Sequence, residues 1–244
     1  MNLVVCLKRV PDSTARIQIG PDGKRINPDG IDYVISTYDE FAVEEALKLR
    51  EKHGGEVVAV MVDPDGHEQV LRKALAMGVD RGVLIKGGDP FDGAAVAEIL
   101  AATLKEMTFD LCLFGKQSID SDSYQVPAMV AHRLGLPRAT VVNKLEMGVG
   151  SVRVHRQIEG AEEVYELKTP CIIAAQKGLN EPRFPSLKGI MAAKKKPIDK
   201  KDAPAVEARL AVLKMEPPPA RPSGRIVGGV AELLKLLREE AKVI

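Results

Sequence analysis

The residues best able to take a ligand gather in one stretch, residues 115–126, GKQSIDSDSYQV. Gly115 lets a backbone or a ligand come close, and Lys116 brings a charge. Gln117, Ser118, Ser121, Ser123 and Gln125 offer neutral hydrogen-bonding groups. Asp120 and Asp122 can accept from hydroxyls or cap a helix. The spacing matches neither a Walker loop nor GxGxxG. The same residues would also serve a solvated loop in which Asp122 or Ser123 only caps the following helix, and the loop by itself leaves the two readings about even.

The flanking elements decide where this loop would sit. Residues 109–114 (FDLCLF) read as a buried strand, and a helical pattern runs from about Ser123 to Leu134 before Gly135. The loop therefore joins the carboxyl end of a strand to a helix start. In open α/β sheets ligands bind there, because helix N-termini present free N–H groups and a partial positive charge.

The rest of the chain supplies the matching scaffold. Residues 2–7 (NLVVCL) and 57–62 (VVAVMV) read as buried strands, and residues 82–85 as a third. Lys8 and Arg9 leave the end of the first strand. Residues 15–34, with their Asp-Gly turn signals, form a hairpin excursion. Thr37 and Glu40 have the spacing of a capping box for a helix ending at Gly54. Tyr38 lies just outside that cap, where packing is its ordinary role. Further helices are expected from about Asp65 to Gly78 and from Ala94 to Met107. Alternation of this kind predicts a Rossmann-like, doubly wound, mostly parallel α/β sheet. After Gly135, short alternating segments predict antiparallel edge strands, and residues 171–175 (CIIAA) another buried strand. Residues 1–190 are read as one domain, and 191–244 as a C-terminal arm ending in an amphipathic helix from about Val230 to Ala241 that needs a partner surface.

Composition narrows the function. The net charge of +1 provides no field that would select nucleic acid or anionic membranes, and the 4% aromatic content with no Trp is poor for stacking on single strands. Cys6, Cys112 and Cys171 lie in apolar runs without CxxC spacing, which fits buried thiols in a reducing compartment. No apolar run is long enough to span a membrane. The chain opens directly on a strand pattern, so a cytoplasmic location is expected. No nucleophile–base pair, metal set or acid–base pair stands out, so no catalytic role is expected.

Several segments in order resemble the beta subunit of electron transfer flavoprotein: VVCLKRVPD, DEFAVEEALKL, ALAMGVDRG, GKQSIDSDSYQ, KTPCIIAA and LNEPRFPSLKGIMAAKKKP. Each is weak alone; together they cover most of the chain. The resemblance implies a heterodimer with an alpha subunit that holds most of the FAD, and an AMP of structural role in the beta subunit. In an electron-bifurcating branch a second FAD takes the AMP pocket. By position, nucleotide contacts would fall on Cys6, on Ser36, Thr37, Tyr38 and Asp39, on Val62, and on Gly115, Gln117, Asp120, Ser121, Asp122, Ser123, Tyr124, Gln125 and Val126. Backbone groups of Cys6 and Val62 would meet the adenine. The N–H groups from Ser121 to Gln125, with the Ser123 hydroxyl, would hold the phosphate, and Asp120 would shape the loop. Tyr38 would lie near the partner's flavin. Ser13 stands where better-known members carry a tyrosine near that ring.

The resemblance also places a partner-docking loop on Leu179, Asn180, Glu181, Pro182 and Arg183, with Leu179 or Leu187 as its apolar anchor and Lys194, Lys195 and Lys196 steering acidic surfaces. Electrons would come from acyl-CoA and related dehydrogenases and pass to an electron transfer flavoprotein–quinone oxidoreductase. The asparagine-led form of the loop favours the AMP-binding branch. Rival readings are the bifurcating form, an ATP-hydrolysing or adenylating enzyme, which would need a phosphate loop and Mg²⁺ ligands, and a purely structural module.

Overall fold

The structure is a computed structural model; it describes residues 1–221 and 223–244. Nine strands form one sheet. In chain order they are β1 (Asn2–Leu7), β4 (Glu56–Asp63), β5 (Arg81–Lys86), β6 (Leu111–Gly115), β7 (Arg138–Met147), β8 (Ser151–Ile158), β9 (Ala161–Lys168), β10 (Cys171–Ala175) and β11 (Ile198–Asp202). A separate two-stranded ribbon pairs β2 (Arg9–Pro11) with β3 (Tyr33–Ile35) at the base of the excursion. The helices are α1 (Thr37–His53), α2 (Gln69–Met77), α3 (Gly93–Lys105), α4 (Val126–Leu134), α5 (Leu187–Ala193) and α6 (Val230–Glu239).

Across the sheet the order is β11-β5-β4-β1-β6-β10-β7-β8-β9. The pairs from β11 to β7 are parallel, and β7-β8-β9 is an antiparallel meander at the other edge. The predicted doubly wound sheet with antiparallel edge strands is thus present. Strands β1, β4, β6 and β10 are continuous apolar runs because both faces of the sheet are covered. Leu3, Val5, Leu113 and Ile173 pack under α1 and α2, whereas Val4, Cys6, Cys112 and Ile172 pack under α3 and α4.

From β1 the chain winds outward through β4 and β5, then returns to place β6 on β1's other side. The order therefore reverses between β1 and β6, and a crevice opens at their carboxyl ends.

Three local expectations need correction. Helix α1 starts at Thr37 with Ser36 as its N-cap, so Thr37 and Glu40 do not form a capping box; the Ser36 hydroxyl makes no cap bond. Helix α4 starts at Val126 rather than Ser123, because Asp122 and Tyr124 have positive φ (47° and 59°), which no helix accommodates. The stretch after Lys177 also gains structure that its composition hid. Helix α5 packs against α2, and β11 hydrogen-bonds beside β5. The residues expected to start an arm at 191 therefore begin with the end of a helix and a strand of the main sheet.

Candidate functional site

The crevice at the β1/β6 reversal is a cavity of about 970 Å³. Its floor is Cys6 and Leu7 from β1, Val62 and Asp63 from β4, and Phe114 and Gly115 from β6. The loop after β6 forms one wall through Lys116, Gln117, Ser118, Asp120, Ser121, Ser123, Tyr124 and Gln125, with Val126 opening α4. The excursion, from Gly20 to Pro28, forms the opposite wall. Leu210, Ala211 and Val212 of the C-terminal segment reach the cavity as well.

Asp39 is the structural hinge of the crevice. It is buried, at 6% exposure, in the first turn of α1. One carboxylate oxygen accepts the Lys8 N–H at 2.8 Å, and the other accepts the Gly115 N–H at 2.9 Å. One side chain thus ties the carboxyl ends of β1 and β6, the two strands that flank the reversal. Burial pushes its carboxyl up to about 7, although the two N–H donors favour the charged form. The approach also explains the glycine: a Cβ on Gly115 would lie 2.5 Å from an Asp39 carboxylate oxygen and 2.7 Å from its backbone nitrogen.

Two of the cations on the walls are paired with carboxylates. The Lys8 ammonium meets Asp120 at 2.8 Å and the Ser118 hydroxyl at 3.3 Å. Arg9 lies 3.5 Å from Asp63 and stacks on the Tyr33 ring. Asp63 in turn accepts the N–H groups of Asp65 and His67, which shapes the rim after β4. Lys116 is held differently. Its ammonium, nearly buried, faces the rings of Tyr38 and Tyr124 at 4.7 and 5.0 Å. A cation held against ring faces is still free to meet an anion.

The loop is held by its own short side chains. The Ser118 and Ser121 hydroxyls are 3.0 Å apart, and Gln117 donates to Asp122. The Asp122 N–H bonds the Ser118 carbonyl, so it is not among the amides left for a ligand. The left-handed backbone at Asp122 and Tyr124 is a conformation that side chains rarely adopt, and such strain gathers at binding sites. Two buried polar atoms on the cavity residues, Arg9 Nε and Gln117 Oε1, have no partner within the protein. Cations, unpaired polar atoms and an apolar floor together suit a nucleotide.

The expected site residues divide accordingly. Cys6, Asp39, Val62, Gly115, Gln117, Asp120, Ser121, Ser123, Tyr124, Gln125 and Val126 line one cavity. Ser36, Thr37, Tyr38 and Asp122 stand behind its walls: Ser36 is buried at the start of α1, Thr37 is exposed beside it, and Tyr38 reaches the site only through Lys116. Burial also pushes the Cys6 thiol well above its usual range, and that of Cys171 to about 12, so both behave as inert core groups. Tyr33, Asp63 and residues 210–212 went unnoticed in the sequence. For Asp63 a signal existed, an acid at a strand's carboxyl end; for residues 210–212 none did, since they meet the cavity only in the folded chain.

The proposed docking residues lie elsewhere, after β10. Asn180 donates to the Phe41 carbonyl and to Glu45, and Arg183 grips Glu44 and Glu51 on α1. Leu179 packs on the core, Pro182 is half-buried and Glu181 is exposed. Phe184 and Leu187 stand out at 94% and 76% exposure, with Ile190 and Met191 beside them. Of the three lysines, Lys196 is tied down: its ammonium donates to the Leu75 and Val79 carbonyls at the end of α2, at 3.0 and 2.6 Å. It therefore caps a helix instead of projecting toward a partner.

A doubly wound, mostly parallel sheet with a cavity at its reversal places the fold in the Rossmann-like class. Residues 25–206 match the family model described as the electron transfer flavoprotein domain. The chain is 40% identical to "Electron transfer flavoprotein subunit beta" of Bacillus subtilis over 259 residues, covering all of both chains. It is also 40% identical to the Bradyrhizobium diazoefficiens protein of that name, again over the whole of both. Against the Homo sapiens protein of the same name the identity is 34%, over all of this chain and 99% of the relative. The chain belongs to the electron transfer flavoprotein beta-subunit family. Its role is that of an electron-carrier subunit of a flavoprotein. Among the described residues no helix is long and apolar enough to cross a membrane.

Proposed function

We propose that this chain pairs with an alpha subunit, holds AMP as a structural ligand in the β1/β6 cavity, and helps to bury the FAD carried mostly by that partner. The observation that carries the reading is the Asp39 clamp, which holds the two strand ends open around the wall of residues 115–126. Lys116 and the free amides of the loop would take the phosphate, and the backbone of Cys6 and Val62 the adenine. FAD, when bound, supplies the redox chemistry; this chain's part is to position and to shield.

Phe184 and Leu187, standing on a loop fixed to α1 by Asn180 and Arg183, would dock on acyl-CoA and related dehydrogenases. The electrons would continue to a quinone oxidoreductase, and the setting would be the cytoplasm. The exposed apolar face of α6, with Val230, Leu233 and Leu234, suits an arm, ending in that helix, laid on the alpha subunit.

The test is to denature the purified alpha–beta complex and count the released nucleotides by chromatography and mass. One FAD with one AMP is expected. Release of neither would remove the proposal. A second reading, FAD in this cavity with electron bifurcation, draws on the cavity's size, which lies at the top of the range usual for ligand sites, roughly 300–1,000 Å³. Two FAD and no AMP would decide for it.

A further inference from the structure

The chain after β11 does not leave the domain at once. Ala203 and Val206 pack against the core cluster under α3, and the Ala203 N–H bonds the Lys86 carbonyl at 2.8 Å. The next residues then cross the cavity. The N–H groups of Arg209 and Leu210 both donate to one oxygen of Asp92, the latter at 3.0 Å. Further on, the Met215 N–H bonds the Gly23 carbonyl at 2.7 Å. Asp92 precedes α3 on one side of the cavity, and Gly23 lies at the tip of the excursion on the other. Between these two ties, Leu210, Ala211 and Val212 line the cavity itself.

Asp92 is built for this double duty. It is 1% exposed. Its other oxygen caps α3 by accepting the Ala95 N–H at 3.0 Å. Burial acts to raise its carboxyl, yet the backbone N–H bonds outweigh that effect and hold it below the ordinary range, so it stays an acceptor. The crossing segment itself is weakly held. It has no helix or strand, and Leu210 and Leu213 are 49% and 83% exposed. A segment fixed at two points by a few backbone bonds opens far more readily than the sheet beneath it.

We propose that residues 204–215 form a strap that retains the adenine nucleotide, with Asp92 as the positioning residue that latches it. The strap rests on the reading of the cavity as a nucleotide site, and it adds the gate: nucleotide leaves only when the latch at Asp92 or the tie at Gly23 opens. Because the chain continues from the strap into the proposed arm, a partner that grips the arm sets how freely the strap lifts.

The test uses the complete alpha–beta complex loaded with radiolabelled AMP and chased with excess unlabelled AMP. Asp92→Asn keeps an oxygen for the α3 cap but turns an amide toward the strap's N–H donors. Release is expected to quicken about tenfold or more, the scale of one lost bond to a charged acceptor. Met215→Pro removes the far tie, leaves the α3 cap untouched, and is expected to quicken release as well. Tryptic nicking after Arg209 should rise in both variants, and after Lys214 in Asp92→Asn, while the thermal midpoint of the complex holds. A helix-capping role alone would move the midpoint and leave the nicking unchanged. If AMP is bound and both variants release it at the parental rate, the strap is overturned and the nucleotide reading stands. If the parental complex holds no adenine nucleotide, the nucleotide reading fails and the strap's role in retention falls with it.

Discussion

Replacing Asp39 with asparagine tests the clamp between β1 and β6 most directly. The Asp39 carboxyl titrates near 7 in the fold against 3.8 ordinarily, with burial as the main cause. Below pH 3.8 both folded and unfolded chains carry the proton, and the group costs nothing. As pH rises from there toward 7, the unfolded chain ionises while the fold holds its proton, so stability contributed by that proton is lost. Above 7 the loss is complete. At about 1.4 kcal/mol per pH unit the full window amounts to ~4 kcal/mol, and the part between pH 5 and 7 to roughly 3 kcal/mol. Asp39→Asn has no such titration. Its amide leaves one of the two N–H groups facing a donor, a constant penalty of about 1–3 kcal/mol. Urea unfolding of the parent and the variant at pH 5 and pH 8 separates the two contributions. The variant is expected to gain roughly 3 kcal/mol on the parent between pH 5 and pH 8. A difference that stays constant across that range would refute the burial argument for Asp39.

Three further perturbations follow from single contacts. Gly115→Ala drives a methyl group into Asp39 and the start of α1; we expect a loss of about 1–3 kcal/mol by urea unfolding and a nucleotide content well below one per complex. Leu187→Ala should slow reduction by a partner dehydrogenase in stopped-flow assays with flavin content unchanged, whereas Leu179→Ala, cut from a residue that packs on the core, should lower stability first; equal and purely kinetic effects would contradict the placement of these two leucines. Lys196→Met removes the ammonium from the last carbonyls of α2, with an expected cost of about 1 kcal/mol and no change in the salt dependence of electron transfer; an altered salt dependence would return Lys196 to a steering role.

Much of the scaffold could be read directly. Strands such as residues 57–62 and 111–114 are unbroken apolar runs between capped helices, and such runs need both faces covered. The location of the site followed, since the loop after β6 had to lie at a strand's carboxyl end. What escaped reading depends on distant contacts. Thr37 and Glu40 have the spacing of a capping box, but Asp39, between them, is claimed by Lys8 and Gly115, and α1 starts to suit that clamp. The start of α4 was misplaced because nothing in Asp122 or Tyr124 announces a left-handed backbone; it is imposed by bonds such as Gln117 to Asp122. Strand β11, IDKKD, has almost no apolar signal because only one of its edges and little of either face is covered. Lys196 looked like one of three lysines steering acidic surfaces until its carbonyl partners at the end of α2 were in place.

The position of β11 bears on how the protein is made. Strand β5 has β4 on one side, and its other edge is filled only by residues 198–202. During synthesis, every strand from β1 to β10 emerges before that edge can be closed. Through that interval the nascent sheet carries a bare parallel edge of six residues, with Val83, Leu84 and Ile85 at its centre. Such an edge invites pairing with a second unfinished chain. A gene truncated at residue 190 would make that interval permanent. The cell would then hold a domain whose cavity lacks only residues 210–212 of its lining but which is prone to associate through β5, and the yield of soluble truncated chain would report on the edge strand.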